Sequence, residues 1–343
     1  MRPPRRVIAG RVARSLAALW LLGRGLPGRA QPAPAGDARA WLMRMHAAAN
    51  ERNYQGTMVF SAGGVVSSSR VAHFHEGGQF YERIEALDGR MHRIYRHNDQ
   101  VATLWPQSRV AVIEQREPLA TPSPLLPPLE PRALERYELG ALGSERLAGR
   151  DARVFLLSPL DEFRFAQRIW ADQATGLMLR ADVLGPKQEL LESSAFSEVE
   201  IGIRPQPESV LQPMKKLDGY RVVRPQAVRT SFEAEGWALP AAPVAGFRLA
   251  SCARRELEAD GVDAAPGSAA HPVLQAVFSD GLTHVSLFLE TFDPARHRKP
   301  MHTRIGATHT LMQRQADQWW LTAMGDVPPA TLRQFAAALE RRR

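Results

Sequence analysis

The chain has 343 residues, 44% hydrophobic and 23% charged, with a formal net charge of +8. Seven Arg and no acid fall in residues 1–30, which leaves the remainder near +1, so the basic balance is no argument for nucleic-acid binding. A single cysteine, Cys252, excludes an intramolecular disulfide and a cysteine-built zinc site.

Residues 1–30 read as a secretory signal. Arg2, Arg5, Arg6, Arg11 and Arg14 form a basic start, residues 15–22 an apolar core, and Gly28-Arg29-Ala30 a small-x-small cleavage site. The core is far short of the about 20 residues a bilayer takes. No Cys stands near the cleavage site to carry a lipid anchor. Roughly 310 residues remain, enough for two domains.

Residues 37–54 are predicted as an amphipathic helix, with Trp41, Leu42, Met45, Ala48 and Ala49 at three- and four-residue spacing and Asp37 as N-cap. Strands follow at 56–61, 65–75, 79–86 and 91–96, turning at Gly63-Gly64, Gly77-Gly78 and Asp88-Gly89. Residues 101–105 and 110–114 form a further hairpin. Residues 121–131 hold five prolines and are expected as a loop, with a short helix at 132–139. Residues 151–203 read as an antiparallel meander, because its loops are too short for parallel crossovers. About ten strands and one long helix pack most economically as an incomplete barrel wrapped around that helix. Residues 204–229 contain four prolines and are expected as a solvated interdomain linker. Strands at 247–253, 271–278, 283–290, 308–314 and 318–324, then a helix at 330–341 with Leu332, Phe335, Ala336 and Leu339 inward, make a smaller α+β domain.

Catalytic signatures are missing: no Gly-x-Ser-x-Gly, no phosphate-binding loop, no His-Glu-x-x-His. His73 and His75 share one strand face without a third ligand nearby, and are expected on a polar outer face rather than at a metal. No cofactor and no enzymatic activity are expected. Cys252 is expected to be a small buried hydrophobe. Arg296, Arg298, Lys299 and Arg304 lie within nine residues beside His297 and His302, in a predicted loop, and the next strand adds His309 and Arg314. A concentrated cationic patch on an otherwise balanced domain suits contact with an acidic partner. Phe60, Phe74, Trp105, Phe165, Trp170 and Leu179 are the candidates for an apolar wall between sheet and helix, open to an acylated ligand.

Several blocks resemble one family. They are residues 41–56 with Thr57-Met58-Val59-Phe60, Ile169-Trp170-Ala171-Asp172 with Thr175-Gly176-Leu177, Trp237-Ala238-Leu239-Pro240 with Gly246-Phe247, Phe278-Ser279-Asp280-Gly281-Leu282, and Gly325-Asp326-Val327-Pro328-Pro329. In this order they resemble the RseB/MucB family of periplasmic regulators of the envelope-stress sigma factor. The α+β class and the signal peptide at 1–30, read from the residues themselves, agree with that resemblance. A half-barrel of the lipoprotein-carrier kind would span 37–203, with a linker at 204–230 and a small partner-binding domain at 231–343. The resemblance further implies a periplasmic location and binding to the periplasmic part of a membrane-bound anti-sigma factor. Binding would shield that factor from regulated proteolysis until lipopolysaccharide or a similar lipid signal relieves it. A homo-oligomer stays open, and a lipid or lipoprotein carrier acting alone is the alternative.

Overall fold

The computed structural model describes residues 31–32, 35–115, 129–258, 270–297, 299–316 and 318–342. The expected signal, most of the proline-rich run and Arg298 lie outside them.

The chain begins with β1 (Gln31–Pro32) and α1 (Ala35–Glu51). Trp41, Leu42, Met45 and Ala48 lie along one side of α1 and are all buried. Asp37 is not the N-cap: it sits inside the first turn, where a carboxylate suits the helix dipole, and pairs with Arg153 at 3.5 Å. β2 (Tyr54–Ala62), β3 (Val65–Glu76) and β4 (Gln79–Ala86) form a meander. Its turns, Gly63-Gly64 and Gly77-Gly78, need the positive φ that glycine tolerates. β5 (Arg93–His97), β6 (Gln100–Trp105) and β7 (Val110–Gln115) continue it.

Beyond a 3-10 turn (Pro131–Glu135) come β8 (Tyr137–Leu147), β9 (Arg150–Pro159), β10 (Ala166–Asp172), β11 (Met178–Leu184) and β12 (Leu190–Ile201). The helix expected at 132–139 is thus only the 3-10 turn, and a full strand follows it. Gly140 and Gly143 dilute the apolar signal there, and the register slips between Ala141 and Gly143, a bulge that Gly143 permits at φ 117°.

The run expected as a solvated linker is built into the fold. It supplies α2 (Glu208–Lys215), β13 (Arg221–Val223) and β14 (Ala227–Arg229). Strands β1 to β13 make one sheet in the order β1-β8-β9-β10-β11-β12-β2-β3-β4-β5-β6-β7-β13, antiparallel except where β13 runs beside β7. Its concave half-barrel is filled by two helices, not one. Trp41 of α1 stands 5.2 Å from Phe155, over Leu157, Ile169 and Ala171. Val210 of α2 is fully buried against Phe74, Tyr81, Tyr95 and Leu104.

The second sheet begins with β14. After β15 (Trp237–Ala238) come β16 (Arg248–Glu258), β17 (Ala270–Ser279), β18 (His284–Thr291), β19 (Met301–Ile305), β20 (Thr308–Arg314) and β21 (Trp319–Gly325). The order is β14-β16-β17-β18-β21-β20-β19. α3 (Pro329–Ala338) follows, then β22 (Glu340–Arg341), which pairs with β15. Leu332, Phe335, Ala336 and Leu339 are all buried, as their spacing predicts, and Phe335 packs 5.0 Å from Phe278 and 5.6 Å from Phe247. β19 corrects the expected loop over the basic run: five residues of mixed polarity carry too weak an alternation to show as a strand.

Candidate functional site

The two sheets meet at a buried junction built from the turn between β17 and β18. Asp280 accepts backbone N–H bonds from Leu282 (3.0 Å) and Thr283 (2.9 Å) on Oδ1, which closes the turn. Its Oδ2 accepts Arg164 Nε at 2.7 Å, with neither side chain exposed. Arg164 also donates to Asp161 and to the carbonyl of Ala245, so this buried cation is paired on several sides. Tyr137 Oη donates to Asp280 at 3.4 Å, and burial, then the Asp280 charge, push its pKa well up. Leu282 enters the cluster under Trp41 and Met45. Gly281 has φ +98°, and a Cβ there would stand 2.8 Å from Arg132 Cγ and 3.2 Å from the backbone N of Ala133. The Ser-Asp-Gly-Leu block is therefore a docking device between the sheets.

A second contact lies at the β19–β20 turn. Gly306 touches the β2–β3 turn so closely that a Cβ on it would fall 2.7 Å from that of Ala62. Glu192 of β12 accepts the N–H of Ala307, and burial, then the charge of Asp326, push its carboxyl up to about 7. His309 is buried against Phe165, ring centroids 5.9 Å apart, and neither ring nitrogen has a hydrogen-bond partner. Burial, then His302 and Arg304, push its pKa down to about 4. His309 is thus a neutral filler of the contact and not a surface group.

A cleft of about 1120 Å³ separates the β6–β7 edge from β14 and β16, lined by Asp99, Glu114, Val228, Cys252 and Arg255 among others. Arg255 reaches Glu114 across it at 3.2 Å. Burial, then the charges of Glu235 and Glu233, push the Cys252 thiol up to about 11.

The six apolar candidates do not form one wall. Trp170 and Leu179 share a cluster; Phe74 lies under α2, and Phe165 lies against Val183 and Ala307. Phe60 is 37% exposed and Trp105 half-buried. Period two explains Trp170: Ile169 and Ala171 face Trp41 of α1, so the residue between them turns away. There its Nε1–H meets Glu145 at 2.8 Å and the Arg180 guanidinium covers its ring at 4.5 Å.

Of the basic candidates, Arg296 is already neutralised by Glu290 and Asp293, each at 3.1 Å. His297 is buried, stacked 4.9 Å from Trp320. Arg314 lies with its guanidinium 4.3 Å over Phe292. Lys299 and Arg304 are exposed and form no ion pair among the described residues. His73 is buried beside Glu82 at 3.3 Å and stacked on Tyr54, not on a polar outer face. No group of three His, Cys, Asp or Glu among the described residues could hold a metal.

These features define an α+β scaffold in which a helix-filled half-barrel and a small sheet are joined at a buried turn and again at the Gly306 contact. The chain belongs to the MucB/RseB family: residues 37–214 match its N-terminal domain and residues 231–340 its C-terminal domain. It is 27% identical over 323 residues to the sigma factor AlgU regulatory protein MucB of Pseudomonas aeruginosa, covering 89% of this chain and 91% of that one. It is 22% identical over 302 residues to the sigma-E factor regulatory protein RseB of Haemophilus influenzae, covering 87% and 90%. A crystal structure of MucB in complex with MucA(peri) superposes with a TM-score of 0.65 at 25% identity, over 90% of this chain and 100% of the other.

Proposed function

We propose that the chain is a periplasmic regulator of an envelope-stress sigma factor. It binds the periplasmic part of a membrane-bound anti-sigma factor, shields it from regulated proteolysis, and lets go on a lipid or lipopolysaccharide signal. The observation that carries this reading is the likeness over 90% of the chain to MucB, a protein solved with MucA(peri). The exposed cations Lys299 and Arg304 on the small sheet support partner contact there. Phe74 and Leu179 are fully covered, so an acyl chain entering the half-barrel has to displace a helix or a strand.

The test is a protection assay. The periplasmic part of MucA is digested by its regulatory protease with and without a molar excess of the chain. Cleavage should slow at least tenfold and recover when lipopolysaccharide is added. An unchanged cleavage rate would remove shielding from the reading; protection that survives saturating lipopolysaccharide would remove the signal.

A further inference from the structure

β19 is the last strand of the small sheet, and among the described residues nothing pairs with its outer edge. All five of its residues are exposed. Met301 is 50% and Ile305 69% exposed, alternating with His302 and Arg304. The β19–β20 turn has two residues, Gly306 and Ala307, with Gly306 at φ 59°, and Ile305 faces Thr308 across it. In such a turn the flanking residues exchange both of their hydrogen bonds. Alternation then makes Arg304, opposite His309, and His302 the residues whose N–H and C=O groups point away from β20. Exposed edges of this kind are usually blunted by a bulge, a proline or a cover. β19 has no bulge and no proline, since its pairing with β20 is regular and Pro300 precedes it; its guards are its shortness and the Arg304 charge, which repels a like edge and not an acidic one.

The charge around the edge selects the occupant. Residues 299–316 contain Lys299, Arg304 and Arg314, with His302 on the edge itself, and not one carboxylate. A second copy of this edge would bring cations against cations. An extended segment with acidic side chains on one face and apolar ones on the other matches both rows of β19.

We infer that β19 is a strand-addition site. The anti-sigma segment adds to the small sheet as an extended acidic strand bonded to the backbone of His302 and Arg304. This rests on the proposed partner and specifies how it is held.

Two measurements on the purified protein test it, with the periplasmic part of MucA as probe. In the first, His302→Pro removes one outward N–H without touching the ladder to β20, a substitution edge strands accept. The Kd should rise at least tenfold at an unchanged melting temperature. In the second, hydrogen exchange of the wild-type His302 and Arg304 amides should slow when the probe binds, a readout that stands even if the proline variant misfolds. Wild-type binding with neither effect overturns the strand addition and leaves the partner intact. Absence of any wild-type binding counts against the partner itself. Protection of these amides that depends on protein concentration and not on the probe would assign the edge to a second copy and overturn the inference.

Discussion

Glu192 and His309 stand on opposite sides of the contact between β12 and the Gly306 turn, and they titrate in opposite senses. The Glu192 carboxyl moves up from 4.5 to about 7, so the folded chain keeps a proton that the unfolded chain releases. Its contribution is fully present below about 4.5 and is lost as the pH rises through about 7. His309 moves down from 6.5 to about 4, so its contribution is present above 6.5 and lost as the pH falls towards 4. The groups facing them are Asp326, His302 and Arg304. Glu192→Gln keeps the shape and removes the ionisation. Thermal melts of this variant should show a gain over wild type that is largest at pH 8 and gone near pH 4. An equal difference at both ends would mean that Glu192 does not carry the dependence.

At the scale of the element, α2 is the test of how the large sheet is filled. Val210 is wholly buried among Phe74, Tyr81 and Tyr95, so Val210→Ala should destabilise the chain by about 2 kcal/mol in urea unfolding. A loss below about 0.5 kcal/mol would return the segment to the surface role its prolines suggest. Those prolines are the reason α2 was hidden. Pro207 precedes the helix and Pro213 lies within it, while the apolar period of Val210, Leu211 and Met214 spans barely one turn. α1 and α3 were legible because each repeats its apolar spacing over several turns. The hairpins β2–β3 and β3–β4 were legible because paired glycines mark their turns. β8 and β19 were not: one is diluted by Gly140 and Gly143, the other is short and exposed on both faces. The candidate surfaces fared unevenly for a related reason. Sequence spacing places side chains on a face but does not say what covers that face. Spacing alone therefore puts Trp170 on the inner wall, Arg296 in a free patch and His309 beside it, where the structure covers or pairs each of them. Nothing in the sequence pairs Asp280 with Arg164, which lies 116 positions away.

For the molecule as a whole, the Arg164–Asp280 pair decides whether the two sheets behave as one body. Asp280→Asn leaves the buried guanidinium with Asp161 and the Ala245 carbonyl but removes the more deeply buried of its two carboxylate partners. The variant should lose about 3 kcal/mol. Calorimetry should then resolve two transitions where wild type shows one, because Leu282 no longer seats under α1. A single cooperative transition in the variant would show that the remaining contacts, the Gly306 turn and Arg255–Glu114 among them, suffice to couple the sheets.

Cys252 offers a practical consequence. A buried thiol whose pKa stands at about 11 carries almost no thiolate at neutral pH, and thiolate is the species that alkylating reagents attack. A cysteine introduced on an exposed strand such as β19 would therefore be modified far faster than the native one. A fluorophore or spin label could be attached at a chosen position without first replacing Cys252, and the distance between the small sheet and the half-barrel could be followed in an otherwise unaltered chain.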